Sequence, residues 1–302
     1  MEQKALARIA GFLLTLPVLG SSVRSPSPST VRRGLRRRRC AAKRALLLLV
    51  LVLPPLLWAK PRVTQTKFTS RKVPVHVVSC SLSNGFSAVA LIQPAPSGVP
   101  GASSVCADPL ESARKAGLVA AVNATAFMYP LDAPPEERNT RWYAGRPVRL
   151  FGLNVQDGVR RNPDHPNRQV MWFDASGRGH VGHPTAEDSP VQAVADWEGP
   201  ILEKGIVLSR ENGIRYQRAF AGLSDGGWTL HLAVAEGGND RGLTLAECGE
   251  FLKTLGCTDG INLDGGGSAC LMSGRGRTLA PVFPKVGLRP VPVLLGVRKT
   301  AK

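Results

Sequence analysis

The chain reads as an α+β fold: a mixed, twisted β-sheet rich in hairpins with a few flanking helices. Three observations predict it. Apolar runs of strand length recur along the chain, separated by short Gly, Asn or Asp turn signals. Only two segments combine a helix start signal with an interior that suits a helix. Each of those two runs directly into a short apolar strand. No internal repeat is visible.

The elements follow in order. Residues 75–81 and 86–94 flank Asn84-Gly85, a turn pair that predicts a β-hairpin. Asp108-Pro109-Leu110-Glu111 places a capping residue, a proline at the first helical position and a glutamate at the third. Gly117 ends that helix, and residues 118–122 read as a buried strand delivering Asn123. Residues 129–146, rich in proline and charge, read as a long loop, and long loops in compact domains are often functional. Three more hairpins are expected, around Ser176-Gly177, Lys204-Gly205 and Asp225-Gly226-Gly227. Thr244-Leu245-Ala246-Glu247 has the spacing of a capping box. Leu245, Cys248, Leu252 and Leu255 follow at helical spacing, with Phe251 beside them, up to Gly256. The strand 260–264 then delivers Asp264.

The stretch Ile261-Asn262-Leu263-Asp264-Gly265-Gly266-Gly267-Ser268 carries the most chemical information. An apolar strand ends in a carboxylate, and three glycines and a hydroxyl follow. Glycine permits positive φ and close backbone approach to a ligand. Successive N–H groups in such a loop form a concave nest for an anionic oxygen. By itself the segment reads equally well as an ordinary turn. It lacks the Gly-Lys-Ser/Thr ending of a P-loop. No helix signature follows it, as a dinucleotide site requires. No second copy exists to build an aspartic-protease pair. Ligand sites in open α/β sheets lie outside the carboxyl ends of strands. Asn123 and Asp264 are therefore expected to share one sheet edge, although both residue types are also common turn formers.

Gly242-Leu243-Thr244-Leu245, Leu255-Gly256-Cys257 and Asn262 to Ser268 together resemble the phosphodiester glycosidase family. Further matches come in order: Ala121-Val122-Asn123 with Phe127, Glu198-Gly199-Pro200-Ile201-Leu202 with Lys204-Gly205, Arg218-Ala219-Phe220-Ala221-Gly222, and Val291 to Val297. The resemblance spans roughly residues 75–299, and the segment ending at Ser268 is its most specific part. It implies hydrolysis of the bond between a sugar and a phosphodiester. Three departures stand out. Ala124 and Thr125 replace two glycines after Asn123, Ala126 intervenes before Phe127, and Ala219 replaces a threonine.

Of the formal charge of +17, eleven lie in the first 60 residues. The run Arg36 to Arg39 would suit nucleic acid in isolation. It stands, however, just before the apolar stretch 45–59, the order of a secretion signal. Fifteen residues are short for a membrane-spanning helix. Residues 1–60 are read as a leader, either a cleaved signal or a short anchor, and 61–302 as the phosphodiester glycosidase-like domain that the resemblance implies. An earlier apolar stretch, 9–20, leaves two readings open. Either translation starts downstream, near Val31, or the first stretch is the signal and the second the anchor. The expected location is periplasmic, extracellular or membrane-anchored facing outward, with a glycan or sugar phosphate as partner and no nucleic acid. Beyond Cys40 there are five cysteines and no Cys-x-x-Cys spacing, which disfavours zinc. Cys80 and Cys106 are candidates for a disulfide in an oxidising compartment. Cys248 reads as a core residue.

Phosphate is already a good leaving group, so its sugar ester needs less acid assistance than an ordinary glycoside. The diester's charge needs a partner, and the guanidinium fork suits it. Arg218 is the candidate, supported by the backbone of Gly265, Gly266 and Gly267 and by Ser268. Its competing reading is a structural arginine paired with a carboxylate. Glycoside hydrolysis generally uses two carboxylates. Asp264 is the first, as general base or as a ligand for a sugar hydroxyl. Glu198 and Glu236 are candidates for the second, and Asn123 for substrate contact. The five histidines show no metal-ligand pattern beyond the hairpin pair His180/His183. No cofactor or metal is expected, though calcium held by loop oxygens leaves little sequence trace. The alternative function is a non-catalytic envelope protein that binds sugar phosphate or polysaccharide on the same scaffold.

Overall fold

The computed structural model describes residues 63–83, 85–138, 140–208, 213–238, 240–275 and 278–300. The expected leader, its basic run, its apolar stretches and Cys40 lie outside the described residues, as does Asn84 of the first turn signal.

The domain is largely β, and its strands fall into four sheets rather than one. A seven-stranded sheet runs in the order Val63–Ser70, Val73–Ser81, Thr229–Ala235, Arg218–Ser224, Asp259–Asn262, Pro200–Glu203, Ile206–Val207. A five-stranded sheet has the order Thr278–Phe283, Leu271–Arg275, Leu118–Asn123, Val293–Lys299, Phe86–Ile92. Another five-stranded sheet holds the Val170–Phe173 and Gly179–Val181 hairpin with Gln192–Ala195, Asn154–Gln156 and Val159–Asn162. Ser104–Val105, Pro147–Leu150 and Phe127–Met128 make a three-stranded sheet. Every pairing between these strands is antiparallel, which corrects the expected mixed sheet. The two helix–strand units do not form parallel crossovers. Leu118–Asn123, which follows the first helix, inserts antiparallel between Leu271–Arg275 and Val293–Lys299.

Both sequence-derived helix starts hold. Asp108 caps Pro109–Lys115 by accepting from the Glu111 amide at 2.7 Å. Thr244 and Glu247 form the reciprocal capping box of Leu245–Thr254. That second helix buries Leu245, Cys248, Phe251 and Leu252 against Val75, Val77, Ile201 and Phe220 of the large sheet. Leu252 settles where Gly222 and Gly260 pair across two strands. A Cβ there would come within 2.8 Å and 2.4 Å of its methyl carbons, so the notch requires glycine. The main core joins the sheets: Val78 and Leu232 of the large sheet, Val122 and Leu295 of a second, and Met171 and Phe173 of a third share one buried cluster.

Three of the four expected hairpins form. The first does not. Val73–Ser81 pairs with Val63–Ser70 and Thr229–Ala235, while Phe86–Ile92 pairs with Val293–Lys299 in another sheet. Long ladders with distant partners override the local turn signal. Cys80 and Cys106 are free thiols in the same apolar cluster, not a disulfide. Burial pushes both up to about 12, so they pack as small apolar groups. Cys248 is fully buried, as expected.

Candidate active site

The strand Asp259–Asn262 lies between Pro200–Glu203 and Arg218–Ser224. The Leu263 amide continues the ladder to the Ala219 carbonyl at 2.8 Å. Asp264 then turns away, and its amide donates to the Ala124 carbonyl at 2.9 Å. Asn123 ends a strand of a five-stranded sheet and Asp264 follows a strand of the seven-stranded one, so they do not share one edge, yet they meet. The Asn123 side chain donates to the Asp264 carbonyl at 2.5 Å and accepts from the Cys270 amide at 3.0 Å. Asn123 is 1% exposed and fastens both ends of the loop that carries the glycines.

That loop tightens into a single 3-10 turn over Gly266–Ser268. Gly266 has φ +56°, and a Cβ on it would lie 2.7 Å from the Tyr216 ring. Gln217 holds the loop from below: its carbonyl accepts the Gly266 amide at 2.8 Å and its side chain donates to the Gly266 carbonyl at 2.6 Å. The amides of Gly265, Gly266 and Ser268 thus have protein acceptors. Gly267 is the exposed face of the turn.

Burial pushes the Asp264 carboxyl up from 3.8 to about 6, despite donors from Ser268 and Gly265 and the nearby Arg289 charge. The side chain is densely surrounded yet still partly open to solvent. Arg289 was not anticipated, because no motif marks it. Its guanidinium lies 5.8 Å from the Phe127 ring centre and 5.2 Å from that of Trp142. Burial moves its pKa down and the Asp264 charge opposes that shift. Its Nε is buried with no hydrogen-bond partner. A Cβ on Gly267 would sit 3.2 Å from its Nη1, so the third glycine leaves room for the guanidinium. Trp142 comes from segment 129–146, expected as a long loop, which includes a four-residue helix, Pro135–Arg138. Arg146 braces that loop, donating to the carbonyls of Thr140 and Arg141 and stacking 4.4 Å from the Trp142 ring centre.

Arg218 is 5% exposed and committed to the protein. It donates to Glu198 Oε2 at 2.8 Å, to the Leu243 carbonyl at 3.4 Å and to the Ile214 carbonyl at 3.3 Å. Glu198 holds φ +71°, an uncommon conformation for a residue with a Cβ, and such outliers cluster at functional sites. The pair spans the end of the strand before Asp264, because Arg218 begins one neighbouring strand and Glu198 lies two residues before the other. Glu236 stands apart, following the strand on the far side of Arg218–Ser224. Its carboxylate binds His76 Nε2 at 2.6 Å and lies 3.7 Å from Lys67. It also borders a cavity of about 540 Å³ with Arg71, Lys72, Arg215 and Arg241, which does not include Asp264. Among the described residues, no group of three or more His, Cys, Asp or Glu converges to hold a metal ion.

A second arginine–aromatic group adjoins Glu198. Trp197 exchanges hydrogen bonds with Asn262, at 2.9 Å through its amide and 2.7 Å through its carbonyl. Its ring lies 5.5 Å from that of Phe151. Arg168 stacks 4.3 Å from the Trp197 ring centre, and Arg149 stacks 4.9 Å from that of Phe151.

A family model for phosphodiester glycosidases matches residues 116–298. No curated protein matches the chain. Among solved structures, the fold is similar to the catalytic domain of zebrafish N-acetylglucosamine-1-phosphodiester alpha-N-acetylglucosaminidase, auto-inhibited by its pro-peptide. That likeness has 19% identity and a TM-score of 0.55, and covers 80% of this chain and 83% of that one. A hypothetical protein from Synechocystis is similar at 13% identity and a TM-score of 0.52, over 77% of this chain and 61% of the other. At these identities the likeness shows the fold alone.

Proposed function

The chain belongs to the phosphodiester glycosidase family, and from that premise we propose that it hydrolyses the glycosidic bond of a sugar-1-phosphodiester or related envelope glycoconjugate. The observation that carries the reading is Asp264, a partly buried carboxylate with its pKa raised to about 6, held by Ser268 and Gly265 beside Arg289. Among the described residues, Arg289 supplies a cation with no carboxylate in salt-bridge contact, lying near the Phe127 and Trp142 rings. It is therefore the better phosphate partner than Arg218, whose donors serve Glu198 and two carbonyls. Asp264 acts as the general base that takes a proton from the attacking water. The C1–O bond breaks as water adds, and the departing phosphomonoester needs little protonation. Glu198 is the second carboxylate, positioned by Arg218. The Gly266–Ser268 turn shapes the floor on which the phosphate rests, through Gly267.

Release of free sugar from sugar-1-phosphodiesters by the purified protein tests the reading. Tight binding with no release would favour the alternative, a sugar-phosphate-binding envelope protein. We also propose that the protein is exported through its basic and apolar leader. Mass spectrometry of the native N-terminus tests that, and a cytosolic species starting at Met1 would overturn it. No helix of the described residues is long and apolar enough to cross a membrane.

A further inference from the structure

We propose that Arg149 and Arg168 form a second anion subsite near the Asp264 loop, so that the substrate carries another negative group beside the scissile phosphodiester. The inference rests on the glycosidase reading above. Both guanidiniums stack on one ring, Phe151, at 4.9 Å and 6.0 Å from its centre. These distances put the two charges within about 11 Å of each other. Among the described residues, neither side chain has a salt bridge or a hydrogen bond to the protein. The Nε of Arg149 is buried with no partner.

The buried Arg149 Nε–H costs stability unless something else uses it. Like charges repel, and a buried N–H without an acceptor loses its water for nothing. Stacking also has a directional consequence. The ring meets the charge from one side and leaves the terminal Nη–H groups for a planar or tetrahedral anion. Arg289 shows the same combination, stacked on aromatic rings with a buried, unpartnered Nε. The arginines that brace the fold behave otherwise. Arg218 bonds Glu198, Arg215 bonds Glu247, and Arg138 and Arg146 bond carbonyls.

Both unpaired groups border the Asp264 end of its strand. Arg289 lies against Gly267, and Arg168 stacks on Trp197, whose backbone is bonded to Asn262. A ligand that places its phosphodiester at Arg289 and extends past Glu198 meets Arg149 and Arg168. The chemistry they recognise is an anionic oxygen group, either a second phosphate or a carboxylate. The implied substrate class is an anionic glycan or sugar-phosphate chain rather than an isolated diester.

The test uses one sugar-1-phosphodiester in three forms, with the aglycone carrying a neutral hydroxyl, a phosphate or a carboxylate. The full chain is expected to show higher kcat/KM on at least one charged form than on the neutral one. Arg168→Gln should lower that charged-to-neutral ratio by about tenfold or more. The exposed Arg160→Gln, which removes the same charge elsewhere, should keep it. The form that shows the preference distinguishes phosphate from carboxylate. Equal kcat/KM on all three forms, or a ratio unchanged in Arg168→Gln, overturns the subsite. Arg149→Gln alters a packed side chain, so Arg168→Gln carries the test and its melting temperature confirms folding. Calorimetric titration with tripolyphosphate separates the two readings. Binding that weakens in Arg168→Gln supports the subsite even if no sugar is released, and binding that does not weaken overturns it.

Discussion

Asp264→Asn is expected to remove hydrolysis and at the same time to stabilise the folded chain at neutral pH. Burial raises the Asp264 carboxyl from 3.8 to about 6. Roughly two pH units at about 1.4 kcal/mol each give about 3 kcal/mol for carrying the charge in the folded state. Partial exposure of Asp264 makes that an upper limit, so about 1–3 kcal/mol is expected. The sign follows from which state holds the proton more tightly. Below pH ~4 both states are protonated and the group contributes no difference. Between pH ~4 and ~6 the unfolded chain releases its proton first, so native stability falls as pH rises. Above that window the loss is complete and constant. Asparagine carries no charge, so the stability of the variant relative to wild type should climb across the window by that amount and be flat outside it. Any constant cost, such as the Ser268 and Gly265 donors facing an amide, leaves the slope untouched. Urea unfolding of both proteins at pH 4, 5, 6 and 7.5 reads the slope. Melting temperatures should diverge by about 2–4 °C per kcal/mol. Turnover should fall by about 10² or more. Wild-type kcat/KM should rise with pH through about 6, because a general base works ionised. A flat stability difference across pH 4–6 would refute the buried-carboxylate argument, and near-normal turnover in the folded variant would remove Asp264 from the mechanism.

Gly266→Val places a branched side chain against the Tyr216 ring at φ +56° and should cost about 1–3 kcal/mol while weakening substrate binding. Unchanged kinetics and melting temperature would show that the turn is not confined. Arg289→Gln should depress kcat/KM for phosphodiesters by about tenfold or more, through loss of the charged partner. Equal activity in the folded variant would place the phosphate elsewhere. Arg218→Lys should lower stability by about 1–3 kcal/mol and reduce activity on every substrate alike, because an ammonium cannot hold Glu198 and two carbonyls together. A loss confined to phosphodiesters, with the melting temperature preserved, would return Arg218 to direct phosphate binding.

The sequence by itself determined whatever depends on neighbouring residues. Both helix starts are written in four-residue signals, Asp108 to Glu111 and Thr244 to Glu247, because caps are local hydrogen bonds. Three hairpins follow from turns whose strands pair with each other. The loop after Asp264 could be singled out because only glycine tolerates such a turn at close quarters. Tertiary structure alone decided the partners. The strand Phe86–Ile92 leaves its expected hairpin for Val293–Lys299, about two hundred residues away in sequence. Asn123 reaches Asp264 from another sheet. Arg218 is drawn to Glu198, and Arg289, Trp142, Arg149, Phe151, Arg168 and Trp197 come together from separate segments. Long-range pairing and stacking depend on burial and on the partner present in space, and no spacing along the chain encodes them.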